Sequence, residues 1–396
     1  MPVQTSHRPA PLEPGAPGRV PPIVPAQPGP GGPGPGGAKK RAKRKDPLWA
    51  RLTLIFGAVL MMASGAAIVG AKALIGQATS SIDQGNLLGD AGKTEAEGGK
   101  NLDGPIDMLL LGVDARERWA ADNVRSDTII ILHIPASHDQ AYLISIPRDT
   151  EAEIPGHGTD KINAAFYFGA QNGGGWEGGA QLMAKTIKQM TGIGFDGAAI
   201  INFGGFKSVI DALGTVRICV SHEVASKHMS LVDGKPMWNA DAKKTGKPRT
   251  KVVHKKGCKE MEGWEALDYA RQRYGLPGGD YDRQQNQQQL IKAMAKKATE
   301  KGVLTNPLKL NQLIKAAGKA LILDTGGVPI ADLIFTLKGV TGNDLVTLRT
   351  NGGTFATNAN NRETLNELSQ QMFRAVKDDT LADFVVSNPE VLSTRK

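Results

Sequence analysis

The sequence predicts an α/β sandwich carried behind a single transmembrane helix, and three observations lead there. Short, nearly continuous apolar runs at 106–113, 128–134 and 141–146 read as strands of a sheet covered on both faces. Helix-period patterns follow them, and strands alternating with helices mark an α/β layer architecture. Ahead of both, residues 52–71 run without a single charge.

Residues 1–51 form a tail. Twelve of the 23 prolines precede Gly37, among glycines and small polar residues with almost nothing apolar to bury, so disorder is expected. The tail holds nine Lys and Arg against two Asp and Glu, a net of +7 out of the chain's +9. With only +2 left for the remaining 345 residues, the basic balance does not signal a nucleic-acid-binding domain, whose excess charge belongs on its folded part.

The run LTLIFGAVLMMASGAAIVGA at 52–71 is long enough, at about 1.5 Å per residue, to cross roughly 30 Å of hydrocarbon. The predicted anchor extends over 52–76. Seven basic residues from Lys39 to Arg51 precede it and one, Lys72, follows, which places the N-terminus in the cytoplasm and the rest outside. A cleaved signal peptide is the alternative, since Ala71-Lys72-Ala73 has the small-x-small form of a cleavage site, but the run exceeds an ordinary signal core. Either way the domain is exported. Residues 77–104, polar and glycine-rich, read as a linker.

The domain itself is expected over 105–388. After the three strands, Met183, Ile187 and Met190 share a helical face, and Phe206 to Leu213 is a helix stopped by Gly214. A further strand, 215–220, runs into a polar stretch rich in Lys, His and Asp up to Lys259, read as a long loop or excursion. Glu262 to Tyr269 and Gln284 to Lys297 are helical. Toward the end, 319–324 is an apolar run and 361–376 a helix opening at an Asn cap, with fraying after Asn388. Gly173, Gly175 and Gly178 make a formal G-x-G-x-x-G, but no strand leads directly into it, so it reads as a flexible helix entry.

The two cysteines, Cys219 and Cys258, lie in the exported part, where a disulfide can form and persist. Two separate buried thiols are the alternative. The histidines are scattered, which gives a zinc site no support.

Charged residues collect at strand ends. The first strand ends in Asp114, the second is entered through Arg125-Ser126-Asp127, and the third ends in Pro147-Arg148-Asp149. Ligands of open α/β sheets bind at the carboxyl edge of the strands. Asp114 and Arg148 lie there if their strands are parallel, and Asp127 joins them only if its strand is antiparallel. A second cluster, YARQRYGLPGGDYDRQQNQQQ, brings Arg271 and Arg273 onto one face if extended, and Arg283 and Gln287 onto one helical face. Guanidinium forks suit phosphate oxygens, and paired carboxylates suit a hard cation such as Mg²⁺. From residues alone the reading is a phosphate-binding, metal-assisted, extracytoplasmic site.

The segments DMLLLGVD (107–114), RSDT (125–128), SIPRDT (145–150), DKINAAF (160–166), the pattern from Gly263 to Arg273, and GGDYDRQQNQQ (278–288) together resemble the LytR-CpsA-Psr family of cell-wall glycopolymer ligases, over a motif core of 105–300. The resemblance implies a three-layer α-β-α sandwich with a central mixed sheet and an apolar tunnel for a lipid. It implies a phosphotransferase that moves a glycopolymer, teichoic acid or another wall polymer, from a polyprenyl pyrophosphate carrier to peptidoglycan through a phosphodiester. Asp114 and Asp127 match the metal ligands, for Mg²⁺ with Mn²⁺ as an alternative. Arg148, Arg271, Arg273 and Arg283 match the pyrophosphate-binding arginines, with Arg125, Lys161, Asp280 and Gln287 lining the site. Asp149 or Asp280 is the candidate base. Cys219 and Cys258 resemble the pair of actinobacterial members.

One position departs from the family pattern. Asn286 stands where Arg is common, which either weakens phosphate binding or marks a solvent-facing position. The partners implied are the lipid-linked donor, the peptidoglycan acceptor and the membrane, with no nucleic acid. Two other readings use the same residues: a polyprenyl-pyrophosphate hydrolase with water as acceptor, and a non-catalytic module that binds lipid-linked precursors.

Overall fold

The computed structural model describes residues 83–99, 101–113, 124–303, 306–337 and 339–393. The tail, the expected membrane span and Asp114 lie outside the described residues. Among the described residues, no helix is long and apolar enough to cross a membrane.

The strands are β1 (Asp83–Gln84), β2 (Ile106–Val113), β3 (Ser126–Ile134), β4 (Ala141–Ser145), β5 (Glu151–Ile154), β6 (Gly158–Lys161), β7 (Gly197–Asn202), β8 (Val216–Val220), β9 (Val224–Val232), β10 (Lys235–Trp238), β11 (Thr250–His254), β12 (Gly257–Met261), β13 (Leu321–Asp324) and β14 (Leu345–Arg349). The helices are α1 (Asn163–Ala170), α2 (Gly175–Thr191), α3 (Phe203–Leu213), α4 (Asn239–Lys244), α5 (Gly263–Arg271), α6 (Gly279–Glu300), α7 (Pro307–Ala317), α8 (Ile330–Leu337), α9 (Glu367–Lys377) and α10 (Leu381–Ser387).

A seven-stranded sheet in the order β1-β13-β7-β2-β3-β4-β14 forms the centre. It is mixed: β2 pairs antiparallel with β3 and parallel with β7, and β3 pairs antiparallel with β4. Alternation along β2 sends Leu109, Leu111 and Val113 into one core with Phe166 of α1, Met183 and Ile187 of α2, and Met372 of α9. The opposite side carries Ile106 and Met108, with Leu110 and Leu132, against Ala295 of α6 and Leu333 and Leu337 of α8. Helices thus cover both faces, which is why the strand runs are apolar throughout.

Several elements differ from the expectations. The expected linker is partly folded domain: β1 pairs with β13, and Leu87, Leu88 and Ala91 are buried in the main core. Two leucines among glycines leave little periodicity to read. β7, with the sequence GAAIIN, is a central strand that its small residues hid. The run at 215–220 belongs to a separate pair, β8 with β12, rather than to the central sheet. The polar excursion is built structure, a three-stranded sheet β10-β9-β11 with α4. α9 starts at Glu367, capped by the Asn366 side chain accepting from the Ser369 amide, so Asn361 is not the cap. Residues 389–393 pack against the domain rather than fray, because Leu392 bridges to Leu348 and Val391 is buried. Gly175 opens α2 directly after α1, and a Cβ on Gly178 would meet the Gly169 carbonyl at 2.4 Å, so the glycine-rich stretch serves helix packing.

Candidate active site

Strand direction decides which charges meet. With β3 antiparallel to both β2 and β4, the end of β2, the start of β3 and the end of β4 share one sheet edge. That satisfies the condition on which Asp127 could join Arg148. Pairing runs Gly112 with Thr128 but Val113 with Ser126, so Asp127 is the extra residue of a β-bulge. A bulge re-aims a side chain out of the ladder. Gly112 is required opposite it, since a Cβ there would lie 2.7 Å from the Thr128 Cβ.

Arg148 Nη1 donates to Asp127 Oδ1 at 2.7 Å, and its Nε lies 4.0 Å from both Asp149 Oδ2 and Asp280 Oδ1. Asp280 sits in the first turn of α6, where a carboxylate is favoured by the helix dipole. It pairs with Arg283 Nη2 at 2.7 Å, one turn along, and accepts from Gln284 at 3.1 Å. Arg283 also donates to the Asp127 carbonyl at 3.1 Å, tying α6 to the sheet edge. Lys161, at the end of β6, reaches Asp149 at 3.3 Å. The structure therefore brings together Asp127, Arg148, Asp149, Lys161, Asp280 and Arg283.

The remaining arginines flank this cluster. Arg125 lies 5.2 Å from the centre of the Tyr167 ring and reaches Asn163 at 3.5 Å. Arg271, the last residue of α5, stacks on Phe203 at 4.0 Å and Trp238 at 4.8 Å. Arg273 hydrogen-bonds the Tyr274 hydroxyl and is close enough to Arg283 to repel it. Gln287 is half-buried, one turn beyond Arg283. Asn286 does not face solvent, being 1% exposed.

The electrostatics favour an anion. Burial works against the Arg148 charge, but Asp127, Asp280 and Asp149 outweigh it and raise its pKa. Arg283 is 6% exposed, and burial lowers its pKa; Asp280 and Asp127 oppose the shift, and Arg148 and Arg273 add to it. The guanidinium stays charged regardless. Nε of Arg148 and Nε of Arg283 are buried with no hydrogen-bond partner. Buried donors of this kind call for an acceptor, and phosphate oxygens match the fork.

For a hard cation, Asp127 supplies a carboxylate beside those arginines. Among the described residues no cluster of three or more potential metal ligands occurs. One or two carboxylates completed by substrate phosphates is the usual Mg²⁺ arrangement, so the oxygen donors fit.

Sequence reasoning missed the group that holds the Asp149 loop. Glu363, 3% exposed, accepts from Tyr281 Oη at 2.7 Å and Asn351 Nδ2 at 3.0 Å. Its own amide donates to the Asp149 carbonyl at 2.9 Å. Glu363 stands in a polar segment with no motif around it, and Tyr281 was passed over inside one. Gln288 was quoted only as part of a motif, yet its Nε2 donates to Leu143 O, Ser145 Oγ and Leu348 O at 3.0, 2.9 and 2.7 Å, fastening α6 to β4 and β14.

Comparison with known proteins adds a family. The LytR_cpsA_psr family model matches residues 74–380. Probable cell wall biosynthesis protein LcpB of Corynebacterium glutamicum is 31% identical over 221 residues, 53% of this chain and 46% of that protein. Polyisoprenyl-teichoic acid–peptidoglycan teichoic acid transferase TagU of Halalkalibacterium halodurans is also 31% identical over 221 residues, 56% of this chain and 61% of that protein. The matches thus span 46% and 61% of these relatives' lengths. Among solved structures, protein gbs0355 from Streptococcus agalactiae aligns with a TM-score of 0.55 at 20% identity, covering 73% of this chain and 91% of that one, which shows a common fold.

Proposed function

The chain belongs to the LytR_cpsA_psr family, and we propose that it is a phosphotransferase, anchored in the membrane by residues 52–76, that moves a glycopolymer from a polyprenyl pyrophosphate carrier to a peptidoglycan hydroxyl. The observation that carries this reading is the pair of arginines, Arg148 half-buried and Arg283 buried, whose buried Nε donors are open and which Asp127 and Asp280 hold at one sheet edge. TagU, named as a transferase of polyisoprenyl-linked teichoic acid to peptidoglycan, supports the substrate classes.

A half-buried apolar strip on the sheet supports a site for the lipid. On the face toward α6 and α8, Leu110, Leu132, Ala199 and Ile201 are only half-buried although they lie on inner strands. On the opposite face Leu109, Leu111 and Ile131 are 1% exposed or less. On β2 and β7 this half-buried surface, Leu110 with Ala199 and Ile201, leads to Gly112, across from Thr128 and the bulge at Asp127. An isoprenoid laid along it would present its pyrophosphate to Arg148 and Arg283.

Transfer requires the acceptor oxygen to attack the glycan-bearing phosphorus while the bond to the polyprenyl phosphate breaks. The hydroxyl proton goes to a carboxylate, and the leaving group departs as polyprenyl phosphate. In-line displacement of this kind depends on positioning and charge neutralisation. Arg148 and Arg283 neutralise the phosphoryl oxygens and the leaving group. Of the two candidate bases, Asp149 is favoured, because Asp280 is held tightly on both oxygens, by Arg283 at 2.7 Å and Gln284 at 3.1 Å, whereas Asp149 has only longer pairs, with Lys161 at 3.3 Å and Arg148 at 4.0 Å. Asp149 is also the more exposed, its side chain 34% accessible against 10% for Asp280. Asp127 with Asp114 would hold Mg²⁺, which would supply further charge neutralisation.

The test uses the full chain in detergent with Mg²⁺, a polyprenyl-pyrophosphate oligosaccharide and short peptidoglycan chains, with products followed by mass. Glycan on peptidoglycan through a phosphodiester, lost in Arg148→Ala, is expected. Donor cleavage without transfer would mean a hydrolase, and a bound but intact donor a precursor-binding module.

A further inference from the structure

The polar excursion that starts after Cys219 and ends at Lys259, just past Cys258, concentrates the charge of the folded chain. From His222 to Lys259 there are ten Lys and Arg against three Asp and Glu, a net of +7. The whole chain carries +9 and its first 51 residues take +7, so everything else together is −5. The charge is placed outward on a built lobe. Lys227, Lys235, Lys243, Arg249, Lys251 and Lys255 are all exposed on or beside β9, β10, β11 and α4. Of the three acids, Asp241 pairs with Lys244 at 2.9 Å and Asp233 with Lys247 at 2.5 Å. The six residues named form no ion pair among the described residues, so their charge is left for a partner.

The lobe is also fixed. Cys219 and Cys258 face each other across β8 and β12 and are disulfide-bonded, which clamps its stem. At its base His254 and Asp268, both fully buried, meet at 2.7 Å, and Asp268 accepts from Ser226 at 2.8 Å. His228 lies 3.3 Å from the Arg271 carbonyl, and Trp238 stacks on the Arg271 guanidinium. The basic surface is therefore joined to the C-terminal end of α5 at Arg271, two residues before Arg273, which lies near Arg283.

We infer that this disulfide-clamped lobe is a docking surface for a linear polyanionic glycan chain bearing regularly spaced phosphodiesters, gripping the polymer of the donor beyond its pyrophosphate. The inference rests on the proposed function and deepens it by assigning the donor's polymer a second site, outside the arginine cluster. Charge complementarity carries it: unpaired exposed cations on a lobe tied to the end of α5 at Arg271 suit a polyanion that continues outward from the phosphate-binding arginines. A membrane surface fits less well. Val253 is the lobe's one large hydrophobic residue with substantial exposure, whereas interfacial binding adds buried apolar side chains to basic ones.

The experiment measures binding of labelled poly(glycerol phosphate) to the full chain in uncharged detergent, against dextran of matched length and phosphatidylglycerol vesicles. The lobe variant carries Lys243→Glu, Arg249→Glu and Lys251→Glu. A control carries Lys185→Glu, Lys315→Glu and Lys377→Glu, the same change in net charge on exposed positions elsewhere. The lobe variant is expected to bind the polymer at least about tenfold more weakly, with a log–log salt slope shallower by roughly two, as three lost phosphate contacts require. The control is expected to match the wild type. In turnover, the lobe variant should keep its kcat on a donor with a short neutral glycan while its KM rises on a poly(glycerol phosphate) donor. Equal weakening by both variants, or a wild-type preference for dextran or vesicles, overturns the inference. If the wild type fails to turn over the short neutral donor, the transferase reading falls, and the polymer-binding comparison still judges the lobe on its own.

Discussion

Arg148 is the residue on which three carboxylates converge, and the arrangement separates its catalytic role from any structural one. Its side chain is 20% exposed, and its one short contact is with Asp127, itself 27% exposed. Breaking a partly solvated pair of this kind costs little stability. Losing a preorganised charge at a phosphoryl site costs roughly 10²–10³ in kcat. Arg148→Ala is therefore expected to lose turnover while its thermal midpoint stays near that of the wild type. A large fall in the midpoint would make Arg148 structural. Glu363 should behave in the opposite sense. Glu363→Ala strands the buried Tyr281 hydroxyl and Asn351 amide, each costing about 1–3 kcal/mol when left unpaired. Urea unfolding should show the loss directly. A variant as stable as the wild type would mean that water replaces the carboxylate.

At the scale of elements, the lobe shows how covalent and polar ties share the work of holding a surface segment. Closing the loop from Cys219 to Cys258, 39 residues apart, limits the unfolded chain by at most about 4 kcal/mol in the chain-entropy picture. Cys219→Ser with Cys258→Ser is expected to lower the urea midpoint while retaining the fold, because His254, Asp268 and Ser226 still bind the lobe to α5. An unchanged midpoint would show that the ties at the base suffice. The same elements show what the sequence could and could not reveal. β2, β3 and β4 were legible because a strand buried on both faces is apolar at every position. β7 was not, since GAAIIN has too few large side chains to stand out. Strand direction leaves no trace in composition, so the meeting of Asp127 with Arg148 became certain only from the pairing of β3. The lobe read as loop because its strands face solvent and carry lysine on their exposed positions. Glu363 was invisible for a related reason: its partners lie 82 and 12 residues away, beyond any local pattern.

Taken over the whole molecule, two charged centres sit on the sheet. Besides the site at the end of β4, Lys93 is held at 2.9 Å from Asp107, which opens β2, and at 2.7 Å from Asp196. Burial opposes the Lys93 charge, but Asp107 and Asp196 prevail and raise its pKa. Beside the site, burial first and Glu363 second push the Tyr281 phenol well above its ordinary value. Burial, Asp139 and Asp383 do the same more mildly for Tyr142. All three groups are raised in the fold, so each contributes stability that is whole below its unfolded pKa, about 10 to 10.5, and is lost as pH climbs through the folded value. Stability measured by urea midpoint is therefore expected to decline steeply above about pH 10, where the unfolded phenols ionise and the folded ones resist. Tyr281→Phe supplies the discriminating comparison. It should be less stable than the wild type at pH 8 by about 1 kcal/mol, the worth of a hydrogen bond, yet decline less steeply above pH 10. Parallel alkaline profiles for the two proteins would locate the loss elsewhere and leave Lys93 and Tyr142 to account for it.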